Sequence, residues 1–248
     1  MLTVSADDLE QTFGYKAPRG YAPRFNIAPS QTLMTLTGDP STPFGEVTWG
    51  FVPHSSAPPS ASRRFINARA ESVYRTPAFK SAFESRRCLV VVDGYYEWQQ
   101  QDGSRRPHRV CLAGREPFTI AAIWERGGPG ESASAAGCAI LTTAAAPSIA
   151  TIHERMPVII GPEARERWLS GESTKAELVQ HLVSYEGGDL EAYEVSPLVN
   201  SPANDSPACV EPFDGAAYPP QAATSSRSRR RKVSSEVLDL FSLPDLES

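Results

Sequence analysis

Three short segments, far apart in the chain, place polar or ionisable side chains inside apolar stretches. They are Phe65-Ile66-Asn67-Ala68-Arg69-Ala70-Glu71, Asp93-Gly94-Tyr95-Tyr96-Glu97-Trp98 and Ile152-His153-Glu154-Arg155-Met156-Pro157. Burying such groups without compensation is costly, so they need partners, water or a cleft. An amide, a guanidinium, a carboxylate and an imidazole together make an acid–base site with an anion clamp. Asn67 and Arg69 are two residues apart, so in an extended segment both point to one face. A guanidinium beside an amide suits a phosphate or an oxygen-rich substrate. Glu71 would share that face, and an Arg69–Glu71 ion pair is the plainer reading of the same spacing. Glu97 sits between Tyr96 and Trp98 at the end of an apolar run. Held against aromatic faces, a carboxylate has a raised pKa and shuttles protons; at a strand end facing water it does neither. Strand alternation permits both. His153, just before an apolar strand and near Pro157, reads either as a catalyst or as a hydrogen-bonded structural residue.

The elements that must position these groups follow from pattern. Ser5-Ala6-Asp7-Asp8 is a capping box opening a short helix with Leu9 and Phe13 on one face. Residues 24–29 read as extended, and 32–36 and 46–52 as strands. A Pro/Ser-rich loop at 53–62 follows. Thr76-Pro77 starts a helix with Phe79 and Phe83 on one side. Residues 88–98 form one strand-like run, turned at Asp102-Gly103 into 108–113 as a hairpin. Further strands are expected at 118–124, 138–143, 157–160 and 191–195, and helices at 162–169 and 174–183. Many strands on short connections, with few helices, predict an α+β fold with a mainly antiparallel, barrel-like sheet. From about residue 214 Pro, Ala and Ser dominate, followed by a basic run and an apolar–acidic end. The expected organisation is a folded domain over 1–213 and a disordered tail over 214–248.

Composition narrows the classes. With 40% hydrophobic and 21% charged residues, the chain of 248 is globular rather than disordered. It holds no apolar run of membrane-span length and no secretory leader pattern. None of its four cysteines forms a C-x-x-C pair, so reduced, buried thiols and a cytoplasmic location are expected. There is no Gly-rich phosphate loop and no metal-spaced His/Cys cluster, so neither cofactor nor metal is expected. A net charge of −5 argues against a broadly basic nucleic-acid binder. Residues 63–87 nonetheless carry seven cations against two carboxylates. That window is either a solvated surface or a local groove that contacts phosphates.

Six ordered motifs together resemble the SRAP family (SOS response-associated peptidase, or abasic site processing proteins). They are Arg24-Phe-Asn-Ile-Ala-Pro29, Trp49-Gly-Phe-Val-Pro53, Ile66-Asn-Ala-Arg-Ala-Glu71, Asp93-Gly-Tyr-Tyr-Glu-Trp98, Leu141-Thr-Thr143 and Ile152-His-Glu-Arg-Met-Pro157. The resemblance implies recognition of abasic sites in single-stranded DNA by a monomer, nucleoid-associated when on DNA. It implies capture of the sugar aldehyde by an N-terminal Cys, first as a Schiff base and then as a thiazolidine. By position, Asn67 holds the nucleophile or the sugar, Arg69 binds the adjacent phosphate, Glu97 moves protons and His153 assists, including in reversal. Arg64 and Trp49 join the DNA-binding set. Family members typically begin Met-Cys-Gly-Arg; here Met1-Leu2-Thr3 falls where a later Thr-Leu-Thr would be. The expectation is a start placed a few codons late, the alternative a binding-only relative. A peptidase activity, as in the family name, would be limited to self-processing, since no protease motif occurs. In the tail, Leu238, Leu240 and Phe241 resemble the core of a motif that docks bacterial repair proteins on the replication sliding clamp; an ordinary disordered terminus is the other reading.

Overall fold

The computed structural model describes residues 1–53, 64–101, 103–126, 136–213 and 215. The tail with Leu238, Leu240 and Phe241, and most of the 53–62 loop, lie outside the described residues. In chain order the elements are α1 (Ala6–Phe13), β1 (Thr32–Leu36), β2 (Phe44–Trp49), β3 (Asn67–Arg69), α2 (Ala70–Val73) and α3 (Pro77–Ser85). Then come β4 (Arg87–Val92), β5 (Tyr95–Gln101), β6 (Ser104–Leu112), β7 (Phe118–Glu125) and β8 (Gly137–Ala144). Last are β9 (Arg155–Pro157), β10 (Ile159–Ile160), α4 (Pro162–Leu169), α5 (Lys175–Gln180) and β11 (Leu190–Glu194). The architecture is α+β, as the pattern predicts.

Five strands close on themselves. β1 pairs with β2 and β4, β4 with β7, and β7 with β8, all antiparallel. A short parallel pairing of β8 with β2 completes the ring. β3 extends it on β8, also in parallel. Side chains alternate across this barrel. Leu33, Val47, Val90, Ile120, Ala122 and Ile140 belong to the inner cluster. Leu36, Leu89, Val91, Ile123 and Leu141 face outward, where Leu9, Val73, Phe79, Phe83 and Trp168 of the helices cover them. Burial on both faces explains why β4 reads as a continuous apolar run rather than an alternating one. β5, β6 and β11 form a separate antiparallel sheet.

Local chemistry fixes the element ends. Ser5 and Asp8 make the expected capping box of α1, and Gly14 ends that helix at φ 75°. Thr174 and Glu177 do the same for α5. At Arg87 a buried guanidinium donates to the carbonyls of Phe83, Glu84, Trp168 and Ser170, between 2.6 and 2.8 Å. A cation there satisfies carbonyls left open at the C-terminal ends of α3 and α4.

Four expectations need correction, the first being the strand expected at 46–52, which runs over Phe44–Trp49. The run 88–98 is two strands in two sheets, broken at Asp93-Gly94. A Cβ on Gly94 would lie 2.8 Å from the Val110 carbonyl oxygen, so only glycine lets the chain turn this close to β6. The strand expected at 157–160 is likewise two, β9 on β8 and β10 on β7. The helix expected at 174–183 stops at Gln180, with His181 capping it.

Candidate active site

The Asp93-Gly94 corner holds the first residues of the chain. Thr3 donates to Asp93 from its backbone nitrogen at 3.0 Å and also from its hydroxyl. Arg109 Nη2 donates to Asp93 Oδ2 at 2.9 Å, and Arg109 Nη1 to the Tyr193 hydroxyl at 3.1 Å. Both members of this ion pair are buried, with side-chain exposures of 1% for Asp93 and 7% for Arg109. Leu2 bridges to Arg24, which brings the 24–29 motif alongside. The Met1 amine then donates to the Gly94 carbonyl at 3.1 Å. Burial pushes this amine from 8.0 down to about 6, although Asp93 nearby pulls the other way.

Met1 lies on the wall of a cavity of about 230 Å³. Its floor is the barrel interior, with Leu33, Val90, Ile120 and Ile140. Asn67 and Tyr95 line it too. Asn67 is the register partner of inward-facing Ile140, so its side chain shares that face. Both polar atoms of its amide are buried with no hydrogen-bond partner among the described residues. The same holds for the Tyr95 hydroxyl. An apolar cavity with a few convergent polar groups is the usual form of a small-ligand site.

The other expected site residues take different places. Glu97 is 3% exposed, so it does not face water at a strand end. It lies on the same face of β5 as Tyr95, and its charge helps burial to raise the Tyr95 phenol. Trp49 is buried on the cavity wall, its indole nitrogen donating to the Ile66 carbonyl at 2.8 Å. His153 sits in the turn before β9. Its Nδ1 lies 3.0 Å from the Arg155 backbone nitrogen and 3.1 Å from the Arg155 carbonyl oxygen. This turn is tied to β5 by Gln99 Nε2, which donates to the Thr151 carbonyl at 2.9 Å.

Arg69 is exposed and occupies the N-cap position of α2. Arg155 engages Glu71 in a two-pronged ion pair at 2.8 and 2.9 Å. Burial works to raise the Glu71 pKa, but the Arg155 hydrogen bonds, a backbone hydrogen bond and the charges of Arg155 and Arg69 together hold the carboxyl below its ordinary value. Arg64 is exposed and its side chain runs beside Gly50. The structure therefore gathers Met1, Asn67, Trp49 and Tyr95 around one cavity, with Glu97 next to Tyr95 and Arg64 and Arg69 on the surface.

Asp93, Arg109 and Tyr95 were not singled out from sequence. The Asp93-Gly94 pair inside an apolar run was the available signal. Arg109, in the alternating stretch of β6, gave none. All four cysteines are buried and unbridged. Among the described residues there is no cluster of three or more His, Cys, Asp or Glu able to hold a metal.

A sequence model of one family, SOS response associated peptidase (SRAP), matches residues 1–202. The chain belongs to the SRAP family. Relatives agree with that membership. The abasic site processing protein YoqW of Bacillus subtilis is 36% identical over 211 residues, covering 83% of this chain and 94% of the relative. YedK of Escherichia coli, of the same description, is 30% identical over 69% of this chain and 74% of its own length. The chicken protein HMCES, also an abasic site processing protein, is 28% identical over 74% of this chain and 62% of its own length. A crystal structure of a Bacteroides thetaiotaomicron protein shares the fold, with a TM-score of 0.65 at 23% identity over 74% of this chain and 82% of that one. In this chain the first residues, β3 and β5 line one cavity.

Proposed function

We propose that this protein recognises abasic sites in single-stranded DNA and captures them covalently at the barrel cavity. The observation that carries the reading is Met1, its amine buried against Gly94, on the wall of a cavity that also holds the unpartnered Asn67 amide. The relatives' description as abasic site processing proteins supplies the substrate.

An abasic sugar in its open form presents an aldehyde. A neutral amine adds to it, forming a carbinolamine, which loses water to give an imine. An N-terminal Cys thiol then adds across the C=N bond and closes a thiazolidine, with no further reactant. Asn67 would hold the sugar and Arg69 the phosphate beside it. Glu97 would move protons in ring opening and dehydration, and His153 would assist in the reverse direction. Trp49 forms the wall, and Arg64 extends the cationic path for the strand. Burial favours the neutral, nucleophilic form of the Met1 amine from about pH 6 upward rather than from about 8.

Met1 carries a thioether and no thiol, so an imine formed on it cannot close to a thiazolidine. The sequence beginning at Met1 should give an adduct with abasic single-stranded DNA that borohydride reduction traps but heat reverses. The same chain preceded by the family's Met-Cys-Gly-Arg segment, with the initiator Met removed, should give a heat-stable adduct. Denaturing gels after incubation distinguish the two. A heat-stable, unreduced adduct from the chain starting at Met1 would refute this chemistry. Trapping by that chain should rise through pH 6, the signature of the buried amine.

Arg69 supplies a separate test. Arg69→Ala should weaken single-stranded-DNA binding and reduce the slope of log affinity against log salt by about 0.7, the share of one phosphate contact. Fluorescence anisotropy at several salt concentrations measures both. An unchanged slope in a folded variant returns Arg69 to the surface.

A further inference from the structure

We infer that Tyr95 is a substrate-binding residue, its hydroxyl donating a hydrogen bond to an oxygen of the opened abasic sugar. The inference rests on the capture reading above and adds to it a residue and the type of group that residue meets.

Tyr95 is 8% exposed and lines the cavity together with Asn67 and Met1. Its hydroxyl is buried without a partner among the described residues. Nearby tyrosines behave otherwise. Tyr96 donates to the carbonyls of Phe25 at 2.7 Å and Cys209 at 3.0 Å, and Tyr193 to that of Val210 at 2.8 Å. A buried hydroxyl left unpaired is destabilising, and a phenylalanine would supply the same packing without that cost. The hydroxyl at this position is therefore explained by something that enters the cavity.

The walls say what kind of group that is. Apart from Asn67, Tyr95 and the Met1–Gly94 pair, most of the lining is aliphatic or aromatic. An amide and a phenol in the lining of an apolar space suit a small molecule with several oxygens and no charge of its own, which describes an opened deoxyribose. Burial and the neighbouring Glu97 charge both raise the phenol's pKa, so it remains a donor at neutral pH.

Tyr95→Phe removes one atom and leaves the ring. Thermal midpoint and the rate of borohydride-trapped capture of an abasic oligonucleotide should be measured on the full chain, with affinity for undamaged single strands as a third readout. The expected result is a midpoint unchanged or raised, capture slowed roughly tenfold, the scale of one hydrogen bond, and undamaged-strand affinity unaltered. Capture at the wild-type rate would overturn the inference while leaving the capture reading intact. A clear fall in midpoint would overturn it too, by revealing a partner inside the fold. Failure of the wild-type chain to trap abasic DNA at all would remove the capture reading, and this inference with it.

Discussion

Glu97→Gln should slow covalent capture of abasic single-stranded DNA by roughly 10²-fold or more, with little change in DNA affinity. Gln keeps the size and a hydrogen-bonding oxygen but cannot take up and release a proton at neutral pH. Loss of a positioned general acid–base typically costs about 10²–10⁴ in rate. The position supports the assignment. Glu97 is buried on the same β5 face as Tyr95, close enough for its charge to act on that phenol. β5 is anchored along its length by pairing with β6, with Glu97 opposite His108. Single-turnover capture, followed on gels from pH 5 to 8, is the measurement. The variant should also lose the part of the pH profile that belongs to the carboxyl. A folded variant that captures at the wild-type rate would remove Glu97 from the chemistry.

Asp93→Ala should cost the fold about 3–5 kcal/mol, because it leaves the Arg109 guanidinium buried without its counter-ion. Asp93 also accepts two hydrogen bonds from Thr3. The substitution therefore releases the segment that brings the Met1 nitrogen to the Gly94 carbonyl. Stability and capture should fall together. Urea unfolding reads the first effect as a lower midpoint at similar slope. A double variant, Asp93→Leu with Arg109→Met, should recover a good part of the stability, since it buries neither charge, but not the placement of the N-terminal segment. A single variant with an unfolding free energy within about 0.5 kcal/mol of wild type, a bound set by ordinary surface substitutions, would show that the pair is not the mooring described.

Four of the five helices were legible; α2, which holds Glu71 in a segment read as extended, was not. α1 and α5 begin at capping boxes, and α3 and α4 begin at prolines in the first turn. These signals are local, and the backbone geometry they impose does not depend on distant residues. The strands were legible as apolar runs, and β1 is found at its expected bounds. Their partners were not. β4 is buried on both faces, so its sequence carries no alternation to say which side lines the barrel. The break at Gly94 was hidden for a related reason. The residue is required by the approach of Val110 from another strand, and no property of its own neighbours announces that contact.

The candidate site divides in the same way. Asn67, Arg69, Glu97 and His153 stood out because each interrupts an apolar stretch, and burial of such groups has to be compensated. Whether Glu97 faced water or the interior, and that Arg155 would reach Glu71, depended on side chains brought from elsewhere in the chain. Tyr95 looked like ordinary core, since an aromatic residue in a strand needs no explanation until its hydroxyl is found without a partner. The sequence alone determined the family, the types of chemical group and most of the elements, because these rest on residue identity and short-range geometry. Only the tertiary structure decided that the chain's first residues, β3 and β5 meet at one cavity. That meeting is set by ring closure of five strands and by the hold of Asp93 on Thr3, and both join residues far apart in the chain.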